Sequence, residues 1–93
     1  MGESTIYKDV TIVNRRGLHA RAAAKFVKAA DRFTSSIAVQ VTDDIRASGT
    51  SILGLMMLAA STGTVIKISA TGADAEQAVD TLAGLVERGF DEE

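Results

Sequence analysis

Residues 6–33 are IYKDVTIVNRRGLHARAAAKFVKAADRF, and the spacing of the apolar side chains changes within this stretch. In Ile6–Val13, three apolar residues fall on one parity of a β-rich run, which predicts a first strand. A polar break follows, and over Ala20–Phe33 the apolar residues recur at helical spacing with lysines and arginines elsewhere on the wheel. The stretch therefore predicts a strand, a short connection and an amphipathic helix.

The rest of the chain continues to alternate between strand and helix patterns. The predicted strands cover Ile6–Val13, 37–41, Ile45–Ala47 and Thr64–Ala70, and the predicted helices cover Ala20–Phe33, Ile52–Ala60 and a final segment from Ala75 to near Gly89. Asp74 and Gln77 have the spacing of a capping box before the last helix. Because the strands alternate rather than form continuous apolar runs, we expect helices to cover only one face of the sheet.

The predicted fold is a single α+β domain over residues 1–93. It is an open-faced β-sandwich of order βαββαβα, with a four-stranded antiparallel sheet and three helices on one face. Residues 1–5 and 90–93 are expected to be frayed. No apolar stretch approaches the ~18 residues of a membrane span, and the start has no signal-peptide pattern. We therefore expect a soluble, cytoplasmic protein without membrane insertion.

The composition excludes several classes of site. Cysteine is absent, which rules out disulfides, thiolate metal sites and cysteine nucleophiles. The chain has a single histidine and so no multi-histidine metal site, and we expect neither a metal nor a cofactor. With one tyrosine, three phenylalanines and no tryptophan, there is little for nucleobases to stack on, which disfavours a nucleic-acid partner.

Charge is distributed unevenly along the chain. Residues 1–33 carry seven Lys and Arg against three acids, and residues 34–93 carry three against nine. A basic first third on an acidic body favours docking to an anionic surface or binding of a phosphate. A solvated helix face without a partner is the alternative.

The segment Gly17-Leu18-His19-Ala20-Arg21 is the first candidate reactive site in the chain. A helix that starts near Ala20 places the imidazole beside unpaired backbone N–H groups and the positive end of the helix dipole. The N–H groups of Ala20 and Arg21, together with the Arg21 guanidinium, suit phosphate oxygens. His19 is therefore a candidate for phosphorylation on one ring nitrogen, with an ordinary helix-start residue as the alternative.

The apolar segment Ile52–Ala60 is the second candidate site. In a one-sided layer part of it should be exposed, which favours a docking surface for partners, and burial of the whole helix is the alternative. Three apolar residues fall together on one side of its wheel, Ile52, Leu53 and Met56. Ser51 is expected to be the N-cap, and a hydroxyl at a helix start is also a position where a kinase can add a phosphate.

Four segments occur in the order and spacing of a known family: GLHAR at 17–21, AAKFV at 23–27, SILGLM at 51–56 and IKISATG at 66–72. With them the chain resembles the HPr family, the histidine-containing phosphocarriers of the phosphoenolpyruvate-dependent phosphotransferase system. The resemblance spans residues 6–88. It implies the HPr-like βαββαβα open-faced sandwich and a phosphoryl carrier that is not an enzyme.

The resemblance implies a role for each matching position. His19 matches the active-site histidine, which enzyme I phosphorylates on Nδ1 and an enzyme IIA domain dephosphorylates, and Arg21 matches the active-site arginine. Ser51 matches the serine that an HPr kinase/phosphorylase modifies in some bacteria. The exposed patch that docks partners matches three apolar residues, Ile52, Leu53 and Met56. Lys28, in the basic first third, is expected to assist docking.

Two positions depart from the family pattern. Ala22 stands where the family usually has proline after the arginine, so a slightly less rigid site is expected. Arg16 stands where many members have Asn or Ser, so we expect the hydrogen bond that orients the imidazole to be replaced. Ala22, the Met-rich second helix and the Gly-Phe-Asp-Glu-Glu ending resemble the nitrogen-type members of the family.

The sequence thus predicts a monomeric phosphocarrier. It would take a phosphoryl group from enzyme I to an enzyme IIA-type acceptor, in sugar uptake or in nitrogen and carbon regulation. The alternative is a regulatory binding module that acts through the surface Ser51–Met56 without a phosphohistidine. His19 beside Arg21 favours the carrier, since the family's regulatory paralogues lack the histidine.

Overall fold

The structure of the protein is a computed structural model that describes residues 4–92. Its strands are β1 (Thr5–Thr11), β2 (Ser36–Thr42), β3 (Ile45–Ser48) and β4 (Val65–Thr71), and its helices are α1 (Ala20–Ala30), α2 (Ile52–Met57) and α3 (Ala75–Glu87). One further turn, Gly89–Asp91, follows α3. No helix in this part of the chain is long and apolar enough to cross a membrane. The predicted order βαββαβα is confirmed.

The first two helices each end three residues before their predicted end. α1 ends at Ala30, and the N–H of Phe33 closes a turn on the Ala30 carbonyl at 3.1 Å. α2 ends at Met57, and two residues later Ala59 has a positive φ of 55°, which is incompatible with a right-handed helix. Ala60 is buried, but it therefore belongs to the loop that follows α2 and not to the helix.

The four strands form one antiparallel sheet in the order β1-β4-β2-β3. The central strand β4 pairs Ile66 with Val10 of β1 and Ile68 with Val39 of β2. These four side chains are buried, whereas Tyr7, on the opposite parity of β1, is 63% exposed. One face of the sheet is therefore covered and the other is open, as the alternation predicts.

The core lies between the covered face of the sheet and the helices. α3 contributes apolar residues at helical spacing: Ala75, Ala78, Val79, Leu82, Leu85 and Val86. α1 buries one large side chain, Phe26, together with three alanines. Full burial of a side chain such as Phe26 stabilises the fold by ~1.5–3 kcal/mol. This packing holds α1, and with it the residue that precedes the helix, in place.

Within residues 4–92 both ends of the chain take part in the fold. Thr5 pairs with Thr71 at the start of β1, and Phe90, beyond α3, is completely buried. The structure thus differs from the fraying that the sequence predicts at residue 5 and residues 90–92. Burial of an aromatic side chain is the physical reason at the second end. The same prediction for residues 1–3 and 93 lies outside the described residues.

Asp74, the residue before α3, joins two loops instead of forming the predicted capping box. Within the described part of the chain its side chain makes no cap hydrogen bond. It accepts from the N–H groups of Thr34 and Ser35, both at 2.9 Å, and from Ser35 Oγ at 2.5 Å. The hydrogen bond from the Ser35 hydroxyl, followed by that from the Thr34 N–H, lowers the pKa of Asp74 below the ordinary 3.8. The capping box is wrong because the α1–β2 loop supplies three donors to this one carboxylate.

Replacement of Asp74 by asparagine is expected to lower the free energy of unfolding at neutral pH, because a neutral amide oxygen is a weaker acceptor than a carboxylate. A carboxyl group with a lowered pKa stabilises the fold fully above its unfolded value, and this contribution is lost as the pH falls through the folded value. The loss of unfolding free energy in Asp74→Asn should therefore become smaller below pH 3.8. Urea unfolding at a series of pH values measures this loss. Asp80, exposed on α3, provides the control, and Asp80→Asn should show no such trend. A deficit that is constant with pH would contradict this account.

Candidate functional site

Gly17 sets the approach of the chain to α1. Its φ is +66°, and a Cβ on it would lie 2.5 Å from the carbonyl oxygen of Ala60. The next residue, Leu18, donates its N–H to that same oxygen at 2.9 Å. The connection between β1 and α1 is therefore fastened to the loop after α2, and only glycine fits at this contact.

His19 is the N-cap residue of α1. Its backbone is extended, with φ −78° and ψ 178°, and its carbonyl accepts the first helical hydrogen bond, from the Ala23 N–H at 2.8 Å. The N–H groups of Ala20, Arg21 and Ala22 precede that bond, so the helix itself gives them no acceptor. The helix start predicted near Ala20 is confirmed, and the imidazole and these amides lie together at the positive end of α1.

The imidazole of His19 is held by Glu92, at the end of the described chain. Nε2 of His19 and Oε2 of Glu92 are hydrogen-bonded, and the two side chains are 18% and 16% exposed. The other carboxylate oxygen, Oε1, accepts from Nδ2 of Asn14 at 3.0 Å, and the same amide donates to the Gly17 carbonyl at 2.7 Å. A chain of hydrogen bonds therefore runs from the glycine turn through Asn14 and Glu92 to the imidazole.

The charge on Glu92 follows from its surroundings. Burial raises the pKa of Glu92, but the hydrogen bonds from His19 and Asn14 and the Coulombic interactions with His19 and Lys25 outweigh this effect. The pKa of Glu92 consequently lies below the ordinary 4.5, and the carboxyl group is ionised at neutral pH. Among the hydrogen bonds of residues 4–92, the only one that reaches the imidazole ends on Nε2, so Nδ1 is left without a partner there.

A shallow recess lies beside the imidazole, and Arg21 follows two residues later in α1 without lining that recess. The side chain of Arg21 is exposed on the first turn of α1, and it forms no salt bridge within residues 4–92. The recess beside His19 has a volume of about 210 Å³, and its lining comprises Arg16, Leu18, His19, Ala59, Ala60 and Ser61. A small anion that enters the recess from solvent can therefore meet both the imidazole and the Arg16 guanidinium.

The arrangement can accept and release a small anionic group. The imidazole offers a ring nitrogen as nucleophile, the amides of Ala20 and Arg21 offer hydrogen-bond donors, and the Arg21 guanidinium offers a planar fork for two phosphate oxygens. Within residues 4–92, no three side chains of His, Cys, Asp or Glu are grouped so that they could hold a metal ion.

α2 presents an apolar surface to solvent. Ser51 caps the helix, with its Oγ accepting from the Gly54 N–H at 2.9 Å, so the predicted N-cap is confirmed. Leu55 points into the core and is completely buried. Four apolar side chains are exposed and are called the α2 patch below: Ile52 at 42%, Leu53 at 68%, Met56 at 40% and Met57 at 74%. The sequence indicates three of them and misses Met57, which a helix of only six residues leaves uncovered.

Lys28 does not lie with the other predicted docking residues, which belong to α2. Together with Lys25, Arg32 and Arg88 it lines a groove of about 460 Å³ between α1 and α3. Asp91 also lines this groove, and its carboxylate pairs with Arg88 at 3.0 Å. Three of the seven basic residues of the first third thus line this cationic groove, and none of the α2 patch residues lines it.

Sequence reasoning missed three residues of this region: Asn14, Phe90 and Glu92. Asn14 is buried although it belongs to a polar break, and nothing in its neighbours marks it as different from an exposed asparagine. Phe90 carried a usable signal, because an apolar residue directly after a helix-ending glycine commonly packs back onto the helix. Once Phe90 is placed in the core, Glu92 must follow it to the same end of the molecule.

Substitution of Gly17 by alanine is expected to destabilise the fold by about 2–4 kcal/mol, the sum of left-handed strain and overlap with the Ala60 backbone. Gly63 is the matched control, because its φ is +89° and no atom lies within 4 Å of where its Cβ would be. Gly63→Ala should therefore lose only the ~1–2 kcal/mol of backbone strain. Urea unfolding of the two variants measures the difference, and equal losses would show that the Ala60 contact does not restrict residue 17.

Comparison with known proteins identifies the family. A sequence model of the family described as "PTS HPr component phosphorylation site" matches residues 6–88. The phosphocarrier protein HPr of Neisseria meningitidis serogroup A is 45% identical over 85 residues, which cover 91% of this chain and 94% of that protein. The phosphocarrier protein NPr of Proteus mirabilis is 36% identical over 89 residues, covering 96% of this chain and 99% of that protein.

The solved structures agree with the sequence relatives. The crystal structure of HPr-C-His from Thermoanaerobacter tengcongensis superposes with a TM-score of 0.88 at 43% identity, and the match covers 95% of this chain and 98% of that chain. Both the fold and the histidine-bearing turn thus lie within the matched region. The chain belongs to the HPr family of phosphocarrier proteins of the phosphotransferase system.

Proposed function

We propose that the protein carries a phosphoryl group on Nδ1 of His19, receives it from phosphorylated enzyme I and passes it to an enzyme IIA-type acceptor. The observation that carries the proposal is the position of His19 as the N-cap of α1, with Nε2 engaged by Glu92 and Nδ1 without a partner among the described residues. Membership of a phosphocarrier family supports the same role.

Phosphoryl transfer at this site exchanges one bond for another. The lone pair of Nδ1 attacks phosphorus, a P–N bond forms at His19, and the bond from phosphorus to the donor breaks with its electron pair left on the donor. The amides of Ala20 and Arg21 and the guanidinium of Arg21 bind the phosphoryl oxygens. The same exchange toward an acceptor regenerates the free imidazole, so the protein acts as a carrier and a substrate of its partners, not as an enzyme.

The acceptor determines the pathway that the carrier serves. Transfer to the enzyme IIA domain of a sugar transporter supports uptake, and transfer to a regulatory protein of the same type supports nitrogen or carbon regulation. Proteins named HPr and NPr both occur among the relatives, so the shared fold is compatible with either pathway.

The α2 patch is the docking surface in this proposal. Its four side chains are exposed, and contiguous exposed apolar side chains mark interaction sites. A phosphate on Ser51 would add roughly −1.5 to −2 charges at the edge of the patch. The start of α2 tolerates such a charge, whereas an acidic partner would have to desolvate it. An HPr kinase/phosphorylase would thereby reduce docking without unfolding the helix.

Lys28 and the other cations of the α1–α3 groove would attract acidic partners before docking.

A second candidate function is regulatory binding through Ser51–Met56 without a phosphohistidine. The exposure of the α2 patch favours it, because that surface does not require His19. The presence of His19 beside Arg21 favours the carrier. A binding module would keep all of its partner interactions in the variant His19→Ala, whereas a carrier would lose phosphoryl transfer.

Incubation with phosphoenolpyruvate and cognate enzyme I is expected to add one phosphoryl group to the protein, measured by intact mass. Because the product is a phosphohistidine, the modification should be labile in acid and stable in base. His19 is the only histidine in the chain, so His19→Ala should remain unmodified. Circular dichroism checks that this variant is folded. If it is phosphorylated as much as the unaltered protein, the proposal is wrong.

Leu53→Glu and Ser51→Asp should each slow phosphorylation of His19 by about tenfold, or ~1.4 kcal/mol of docking free energy. Leu53 is 68% exposed, so its replacement should leave the fold intact. Aspartate can cap α2 as serine does, so the melting temperature of Ser51→Asp should be unchanged or slightly raised. Tyr7→Glu, on the open face of the sheet, is the control and should react at the rate of the unaltered protein. If neither α2 variant slows the reaction, docking lies elsewhere, and if Ser51→Asp unfolds, the serine is structural.

A further inference from the structure

The chain beyond α3 is turned back toward the imidazole by a strained segment. Gly89, Phe90 and Asp91 all have positive φ, with values of 66°, 57° and 61°. For a residue such as Phe90 this conformation is strained, because Cβ crowds the following carbonyl oxygen, and such strain persists only where the surrounding structure holds it. Phe90 is completely buried, and its carbonyl accepts from Nζ of Lys25 at 2.8 Å. The turn is therefore anchored to the core and to α1, and it delivers Glu92 to His19.

The carboxylate of Glu92 is fixed from two sides. Oε2 meets Nε2 of His19, and Oε1 accepts from Nδ2 of Asn14 at 3.0 Å. Asn14 is itself buried and bound to the Gly17 carbonyl at 2.7 Å, so it cannot follow the carboxylate if the latter moves. Two independent supports, the buried Phe90 and the buried Asn14, thus place one carboxylate against one ring nitrogen.

The contact determines which ring nitrogen carries the proton. An ionised carboxylate has only acceptor sites, so Nε2 must be the donor in this hydrogen bond. A neutral imidazole has a single N–H, and its lone pair is then on Nδ1. The lowered pKa of Glu92 keeps the carboxylate ionised at neutral pH. Carboxylates hold histidines in one tautomer in the same way in hydrolase triads, where the histidine acts as a base.

We infer that Glu92 is a positioning residue for phosphoryl transfer: its carboxylate holds the His19 ring with the proton on Nε2 and the lone pair of Nδ1 directed to phosphorus. The transfer step rests on the function proposed above, whereas the tautomer can be observed without it. When the P–Nδ1 bond forms, the ring becomes positively charged, keeps its Nε2 proton, and is stabilised by the carboxylate. When the phosphoryl group leaves, the electron pair of the broken bond returns to Nδ1.

Glu92 lies outside the residues that the family model matches. The family match ends at residue 88, and Glu92 lies four residues beyond it, after the strained turn. The orienting contact therefore comes from the end of this chain and not from the histidine-bearing motif.

Nitrogen NMR of the imidazole tests the tautomer directly, because the chain has one histidine. At a pH where the ring is neutral, the unaltered protein should show a protonated Nε2, an unprotonated Nδ1, and an Nε2–H that exchanges slowly with water. Glu92→Ala should give a mixture of tautomers and raise that exchange rate by about tenfold or more, since one charge-assisted hydrogen bond is lost. Asp91→Asn is the matched control in the same turn, because the Asp91 carboxylate pairs with Arg88, and it should behave as the unaltered protein does.

Phosphorylation by enzyme I supplies the second measurement. Glu92→Ala should lower kcat by about tenfold, the effect of one charge-assisted hydrogen bond, and leave KM for the carrier unchanged because the α2 patch is intact. Glu92→Gln keeps the shape of the side chain and removes its charge. Its kcat should therefore lie between that of the unaltered protein and that of Glu92→Ala.

Each remaining outcome separates this inference from the proposed function. An unaltered tautomer and exchange rate in Glu92→Ala would overturn the inference, and so would an equal loss of kcat in Asp91→Asn, which would indicate general loosening of the turn. If the unaltered protein has the fixed tautomer but is not phosphorylated, the proposed function fails and the role of Glu92 in transfer fails with it. If phosphorylation depends on His19 but not on Glu92, the function stands and the positioning role is wrong.

Discussion

The backbone of Gly17 lies against the carbonyl of Ala60, and this contact determines how the rest of the site is arranged. A left-handed residue without a Cβ lets the β1–α1 connection approach closely enough for the Leu18 N–H to bind the same carbonyl. His19 is then the N-cap of α1, and the loop that follows α2 borders its recess. One backbone contact therefore puts His19 beside the end of α2, the helix that carries the α2 patch.

Most of the fold follows from patterns that are local in the sequence. Alternation marks the buried parity of β4 at Ile66 and Ile68, and helical spacing marks Phe26 of α1, so the number and order of elements can be predicted. The end of α2 cannot, because the apolar run continues through Ala60 while the positive φ of Ala59 ends the helix. Hydrophobic periodicity reports which side chains are buried, but it does not report whether a helix or a loop buries them.

The candidate site divides in the same way between local and distant contacts. His19, Arg21 and the Ser51 cap belong to short motifs and are predictable from them. Asn14 and Glu92 are 78 residues apart, and their hydrogen bond depends on the turn at Phe90. The glycine before Phe90 predicts that the chain turns there, but it does not predict which distant residues the turn brings together. Asp74 shows the competition directly: a local capping rule predicts one set of bonds, and donors 39 and 40 residues away supply another. The three distant donors engage both oxygens of the Asp74 carboxylate, and these bonds take the place of the local cap.

Under the proposed function, a carboxylate beside the phosphoryl acceptor would ordinarily oppose the incoming anion, and the position of Glu92 offers a way to avoid this conflict. Glu92 binds Nε2, so its charge faces the ring nitrogen that keeps the proton, and Lys25 lowers the cost of that charge further. The amides at the start of α1 and the guanidinium of Arg21 remain for the phosphoryl oxygens. In the proposed transfer, a neutral ring gains a positive charge when the P–Nδ1 bond forms, and the attraction to Glu92 then grows. In this proposal the carboxylate would stabilise the phosphorylated state more than the free state, as long as it stays on the Nε2 side of the ring.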